Sequence, residues 1–377
     1  MMRAVLLPLL CVALVLLTTA LPVSAWWSKG HMAVALIAQR HMSPTAVEKG
    51  NAAANVLCKT GPYPLSPDMV QTASWADDIK TIGLDTMSSW HFITTPYYPE
   101  GDTFRLSVSP VQAVNVASVI PMLQSALQSK SATSEIIAQS LALLIHFMGD
   151  IHQPLHNANE FSTEYPTSDL GGNKQTVIVD AAGTKMKLHA YWDSIAEGPS
   201  GSDMPRPLSA DDYADLNTFV DYLESTYAST LTDAEKTLLN ATTISAETFD
   251  LAVEYAYPGG DNGATLSATY KANAKRIAER QVLLGGYRLA LMLNQTLRPV
   301  TMDAIQQGMK NVEAEVPTTD STSVVNHYVQ KGLSNGATAG IAVALFFVGV
   351  IIAAAVVTAL HCCRRSDGRG RYQEVAV

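Results

Sequence analysis

Residues 337–360, ATAGIAVALFFVGVIIAAAVVTAL, form an uncharged apolar run followed at once by HCCRRSDGRGR. A run of that length spans a bilayer as a helix, since a helix satisfies its own peptide groups in hydrocarbon. Arginines just past a span favour the cytoplasmic side, which predicts a type I orientation with the bulk of the chain outside the cell. A GPI signal is the competing reading, but its removed tail does not normally end in a polar, arginine-rich segment. At the other end, a short basic start and an apolar stretch finish on Val23-Ser24-Ala25, the pattern of a secretory signal peptide cut before Trp26. Whatever folds as a globule must lie between the two. The expected layout is a signal peptide at 1–25, one domain at 26–312, a polar Ser/Thr-rich stalk at 313–336, a transmembrane helix at 337–360 and a cytoplasmic tail at 361–377.

The chain has four cysteines. Cys11 leaves with the signal peptide, and Cys362 and Cys363 fall on the cytosolic side, where they are candidates for palmitoylation. Cys58 alone remains outside, so no disulfide can brace the ectodomain and something else must. Asn240-Ala-Thr242 and Asn294-Gln-Thr296 are glycosylation sequons that suit a secretory route. A net charge of −9 excludes a broadly basic groove for duplex nucleic acid, so any attraction for phosphate has to be local.

Helical spacing dominates the ectodomain. Ser43-Pro44 makes a cap and first-turn pair opening a helix through about Val56. Apolar spacing predicts helices over 110–128, 134–149, 211–229, 245–257 and 266–296. Gly285-Gly286 inside the last of these costs stability unless another backbone packs against it. QTVIVD and KMKLH flank AAGT as a short β-hairpin. The fold class is therefore mainly α, a single helical domain carrying one small hairpin.

Nine histidines serve the whole chain, and three of them fall in HFMGDIHQPLH, residues 146–156. His146 and Asp150 stand one helical turn apart there, and Pro154 stops the helix before His156. LHAYWD repeats the spacing with His189 and Asp193. SWADDIK supplies Asp77 with Lys80 a turn later, WHF supplies His91, and WWSKGH places His31 near the new terminus. Side chains at i and i+4 share a helix face, so an imidazole and a carboxylate can reach one cation. A lone pair of this kind is more often a buried histidine bonded to a nearby acid; two pairs with these companion motifs form a strong joint signal for metal.

Together these motifs resemble the zinc-dependent class I nuclease family, the single-strand-specific nucleases and related 3'-nucleotidase/nucleases. With a leader, a span and a basic tail, the chain is most similar to the membrane-anchored 3'-nucleotidase/nucleases of trypanosomatids. The resemblance covers about residues 26–298 and includes GGN at 171–173, AVEYAYPGG at 252–260 and RLALMLN in the final helix. It implies the tri-zinc helical fold shared with phospholipase C. One Zn²⁺ would take Asp77, His91, His146 and Asp150. A second would take the Trp26 amine and carbonyl, His31 and Asp150, and the third His156, His189 and Asp193. Chelation by the Trp26 amine requires a free terminus, which makes signal-peptide cleavage an activation step. Three zinc ions outweigh three aspartates, so the site is positive within an acidic chain.

The implied activity is hydrolysis at the 3'-oxygen of nucleotides and of single-stranded RNA or DNA. In the mechanism the resemblance implies, a hydroxide shared by two zincs would attack phosphorus and the third zinc would stabilise the departing oxygen. Asp77, Asp150 and Lys80 are the catalytic candidates. Lys80, where relatives often carry Arg, would steady the phosphoryl oxygens as a point charge. Phe92 would stack on a base or else pack in the core. Asn173 would line the phosphate pocket, orient a ligand or serve a turn, and Thr94 stands where some relatives place a base-reading Asp. Lys187 replaces an expected Asn beside His189.

His152 is a supporting or surface residue, His41 is expected on an early helix with no special role, and His327 and His361 have no assigned role. The tryptophans beside the ligands are expected to pack. Expected partners are single-stranded nucleic acid, 3'-nucleotides and the membrane, with no obligate protein partner. A zinc phospholipase C is the alternative enzyme, although its last metal carboxylate is typically Glu where this chain has Asp193. A protein whose zincs merely brace a disulfide-free domain is the non-enzymatic alternative; structural zinc sites usually rely on thiolates.

Overall fold

The computed structural model describes residues 26–63, 66–200 and 203–307. The predicted signal peptide, stalk, transmembrane helix and tail, with His327, His361, Cys362 and Cys363, lie outside those residues. Among the described residues no helix is long and apolar enough to cross a membrane.

Helix α1 (Ser28–His41) is buried along almost its whole length, from Met32 to Ala38. That explains why spacing does not announce it. A helix covered on all sides has no polar face, and the periodic signal disappears. Helix α2 (Pro44–Thr60) opens on Ser43, whose side chain accepts from the Ala46 amide. Asn115 and Ser118 close a reciprocal cap at the start of α4 (Val116–Leu127), after the short α3 (Trp75–Asp78). Thr133 caps α5 (Ser134–Asp150), whose last turn carries the first ligand pair.

The long terminal helix, here α10 (Ala268–Thr296), packs chiefly against α1. The glycine pair is explained at that crossing. A Cβ on Gly286 would lie 2.5 Å from Ile37 Cβ, and one on Gly285 would crowd the His152 ring. The remaining helices are α6 (Leu188–Asp193), α7 (Ala210–Tyr227), α8 (Asp233–Thr237) and α9 (Ala241–Leu251), which runs into a wide π-helical turn at Ala252–Ala256.

Two pairs of short strands complete the described structure. The predicted hairpin is β3 (Thr176–Ile178) with β4 (Lys185–Lys187), antiparallel, with Val177 opposite Met186. It feeds directly into α6. The other pair, β1 (Pro96–Tyr97) and β2 (Asn159–Glu160), is parallel and only two residues long, too short to leave a periodic trace. It ties the chain just after His91 to the chain just after His156.

Two apolar clusters hold these elements. The larger joins α1, α2, α4, α5 and α10; the smaller gathers Leu155, Val177, Leu188, Trp192, Ala256 and Tyr270. Cys58 is the only cysteine among the described residues, so no disulfide contributes within them. Asn240 is an exposed cap of α9, whereas the Asn294 carboxamide accepts from the Ser43 amide inside the last turn of α10 with Thr296 buried.

Candidate metal centre

Seven of the eight side chains expected as ligands from the sequence are almost completely buried, although all eight are polar. They come from α1 (His31), the segment 77–91 beyond α2 (Asp77, His91), α5 (His146, Asp150), the turn at Pro154–His156 and α6 (His189, Asp193). Three donor groups result: His31, His146 and Asp150; Asp77, His91 and His146; and His156, His189 and Asp193, with the donor atoms in each within 4.8 Å of one another.

Asp150 is the hub. Its Oδ2 lies 2.9 Å from His91 Nδ1 and 3.3 Å from His146 Nε2, while its Oδ1 lies 3.4 Å from His31 Nε2. Each oxygen thus faces a different group, as a bridging carboxylate requires. Asp77 stands 3.6 Å from His91 Nδ1 and 3.7 Å from His146 Nε2. On α6, His189 Nε2 is 3.5 Å from Asp193 Oδ2, and His156 Nε2 is 4.0 Å from Asp193 Oδ1. A tetrahedral zinc with ligands near 2.0 Å separates them by roughly 3.3 Å, the middle of this range.

Three of the five imidazoles are held by backbone carbonyls. His146 Nδ1 donates to Ala73 O at 2.6 Å, His156 Nδ1 to His91 O at 2.8 Å and His189 Nδ1 to Gly171 O at 2.7 Å. Each of these neutral rings then presents a bare Nε2. His156 Nε2 and His189 Nε2 face each other at 3.2 Å. Two lone pairs at that distance repel unless a cation lies between them. Burial favours the neutral form throughout: it pulls His146 and His189 down to about 4 and His31, His91 and His156 well below the usual value. Burial, reinforced by Asp77, drives Asp150 well above the ordinary carboxylate range. Burial does the same to Asp193 despite its bond to Gln153. Burial also opposes ionisation of Asp77, but His146 and Lys80 outweigh it and hold this carboxyl well below the usual value. Both oxygens of Asp150 and both nitrogens of His31 are buried without a hydrogen-bond partner. This set of neutral imidazoles, carboxylates and orphaned atoms fits divalent zinc.

Close packing sets the second group. A Cβ on Gly149 would fall 2.6 Å from His31 Nδ1, so only glycine lets α1 bring that ring beside Asp150. Gly30 leaves room for Trp26, whose fully buried indole donates to Gly149 O at 2.9 Å. The His31 ring stacks on His146 at 3.8 Å.

Lys80 Nζ lies 2.6 Å from Asp77 Oδ1. The Asp77 side chain keeps 15 % exposure and that of Lys80 7 %, against none for Asp150, so solvent reaches the cluster on the Asp77 side. Phe92 adjoins His91 in extended conformation and remains half-exposed, outside both apolar clusters. Gln112 bridges its carbonyl to the Thr94 amide. Asn173 closes its own turn, donating from both backbone and side chain to Leu170 O. Lys187 reaches Thr176 across the hairpin. His152 is fully buried, between Met148 O and Arg288 Nη1, which removes the surface reading. Of the tryptophans expected to pack, Trp75 and Trp192 lie in the interior, while Trp27 and Trp90 are only half-buried.

Two supports were not foreseen. Gln153, completely buried, donates to Asp193 Oδ1 at 2.6 Å. Asp169, also buried, accepts from the amides of Glu160, Gly171 and Gly172. Leu170, Gly171 and Gly172 all have positive φ, and this left-handed run wraps the carboxylate and aims Gly171 O at His189. GGN is thus a device for orienting an imidazole. Its only sequence signal is the glycine pair before a His-x-x-x-Asp motif.

Comparison with known proteins agrees with this arrangement. A family model described as S1/P1 nuclease matches residues 26–298. The chain is 29 % identical over 285 residues to Endonuclease 3 of Arabidopsis thaliana, covering 72 % of this chain and 88 % of the relative. It is 28 % identical over 292 residues to nuclease PA3 of a Penicillium species and to nuclease P1 of Penicillium citrinum, covering 72 % of this chain and 97 % of each relative. The matched family is zinc-dependent, acts on single-stranded nucleic acids and carries three zinc ions, the number of donor groups found here. The chain belongs to the S1/P1 nuclease family.

Proposed function

We propose that this chain is a zinc-dependent phosphoesterase that cleaves at the 3'-oxygen of nucleotides and of single-stranded RNA and DNA. The observation that carries the reading is the single buried cluster in which Asp150 turns one oxygen to each of two donor groups. In this reading Asp77, His91, His146 and Asp150 hold one zinc. His31, Asp150 and the Trp26 terminus hold the second, and His156, His189 and Asp193 hold the third.

Zinc bound there supplies Lewis acidity and brings the pKa of a coordinated water towards neutrality. The protein's own groups do the rest. Lys80, fixed against Asp77 at the open side, neutralises charge on the phosphoryl oxygens of an arriving substrate. Phe92, beside His91, offers its half-exposed ring to a base, a contact worth ~1–3 kcal/mol and indifferent to sequence. Carbonyls of Ala73, His91 and Gly171 keep three imidazoles from turning, so the donor set is in place before substrate arrives. Placement at the cell surface as a type I protein, with a mature terminus at Trp26 and a glycan on exposed Asn240, is part of the same proposal and rests on the sequence runs and sequons alone.

Phosphate release from 3'-AMP and from 5'-AMP, before and after chelation and with zinc added back, tests the reading. The 3' isomer should be hydrolysed, the 5' isomer spared, and chelation should abolish turnover reversibly. Release of a phosphorylated headgroup from lecithin without any nucleotide hydrolysis would make the chain a phospholipase C instead.

A further inference from the structure

Gln153 sits between two ligand positions of HFMGDIHQPLH and is completely buried. Which way its carboxamide points is settled by chemistry. The Leu155 amide, a donor, meets Oε1, and the Asp193 carboxylate, an acceptor, meets Nε2 at 2.6 Å. Its backbone is fixed as well, for its amide donates to Asp150 O and its carbonyl accepts from the buried Asn157 side chain. Gln153 therefore connects the bridging aspartate to the carboxylate of the separate third group. The bond falls on one oxygen only. Asp193 Oδ1 takes the carboxamide and stands 4.0 Å from His156 Nε2, whereas Oδ2 faces His189 Nε2 at 3.5 Å.

We propose that Gln153 is a positioning residue that restricts Asp193 to a single donor oxygen, Oδ2, towards the cation held with His156 and His189. This rests on the reading of those three residues as a zinc site. A carboxylate free at both oxygens can chelate a cation or rotate between its two lone-pair edges. With Oδ1 engaged, Asp193 gives one bond, and the His156–His189–Asp193 set supplies three donors. One tetrahedral position is thereby kept for a substrate oxygen. A histidine–aspartate pair on a six-residue helix has little else to fix its carboxylate: α6 ends at Asp193, and among the described residues Gln153 is the only side chain that hydrogen-bonds to it.

The test uses the chain from Trp26 to its C-terminus, equilibrated over a range of free zinc fixed by a chelator buffer. Wild-type protein should bind three zincs. Gln153→Met, similar in length but without a donor, should keep two at wild-type affinity and bind the third about 10–100-fold more weakly. Cobalt substitution gives an independent reading: the visible spectrum of one site should change while the others persist. Three zincs at equal affinity in both proteins would overturn the role of Gln153. Fewer than three in the wild type would instead overturn the zinc reading beneath it. If the variant fails to fold, a crystal structure of the zinc-loaded wild type decides. The inference requires zinc on Oδ2 with Gln153 Nε2 on Oδ1, and zinc on both oxygens, or Gln153 turned away, contradicts it.

Discussion

Gly149→Ala separates the metal site from the fold. The added methyl would stand 2.6 Å from His31 Nδ1 and 3.0 Å from Cε1, where ordinary contact needs about 3.5 Å. The ring has to withdraw by roughly 1 Å, twice the ~0.5 Å that a functional constellation tolerates. It is also stacked on His146, itself a donor in two of the three groups, so the disturbance reaches both donor groups that share His146. Stability should change little. Alanine gains ~1 kcal/mol over glycine within a helix, and overpacking costs ~1–3 kcal/mol, for a net loss of about 0–2 kcal/mol. A displacement of this size at a reacting centre costs on the order of 10²-fold in rate. Zinc content, kcat/KM on 3'-AMP and urea denaturation should be measured on the same preparation. The expected result is a folded protein short of one or two zincs and at least about 100-fold slower. Three zincs with wild-type kcat/KM would refute the claim that Gly149 exists to admit His31.

Phe92→Ala should keep all three zincs and lose ~1–3 kcal/mol of binding to single-stranded oligonucleotides, about 5- to 150-fold in kcat/KM; an unchanged value would return Phe92 to a packing role. Gly286→Ala should lower stability by ~1–3 kcal/mol or more, because its Cβ would meet Ile37 Cβ at 2.5 Å, and a melting temperature equal to wild type would contradict that crossing. Glu235 provides a pH test away from the metals. Burial raises its pKa, but Arg280 and the Thr232 amide and hydroxyl outweigh this and hold it down to about 2. A depressed carboxyl contributes stability above its unfolded pKa and loses it as pH falls through the folded one. Because the side chain is about one-third exposed, solvent screening reduces the effect to ~0.5–1 kcal/mol. Glu235→Gln should therefore cost that much in chemical denaturation at pH 7 and much less near pH 2; a gap undiminished at pH 2 would assign the loss to packing.

Helices α2 and α7 were legible in the sequence because burial on one side leaves a 3.6-residue period, and α5 and α10 because long apolar-rich runs mark them, even though α5 is buried throughout from Ser140 to Asp150. Of the largely buried α1 only an early helix carrying His41 was read, not its extent, and the two-residue β1–β2 pair left no trace. In the site, every expected histidine and aspartate ligand joins the cluster. His-x-x-x-Asp on a helix fixes its own geometry, so those pairs could be read locally. What holds them could not. Gly149 against His31, Gly171 O against His189 and Gln153 against Asp193 are contacts between segments distant in sequence, and residue type alone does not reveal them. The same limit applies to Asn173, whose bonds are those of a turn residue, and to His152, which proved to be buried against Arg288.

The most direct test of the account is anomalous diffraction at the zinc edge from crystals of the chain beginning at Trp26. It predicts three peaks: two flanking Asp150, one with Asp77, His91 and His146 and one with His31 and the terminal amine, and a third among His156, His189 and Asp193. Peaks absent from these positions, or a single peak with the second and third groups bare, would contradict it.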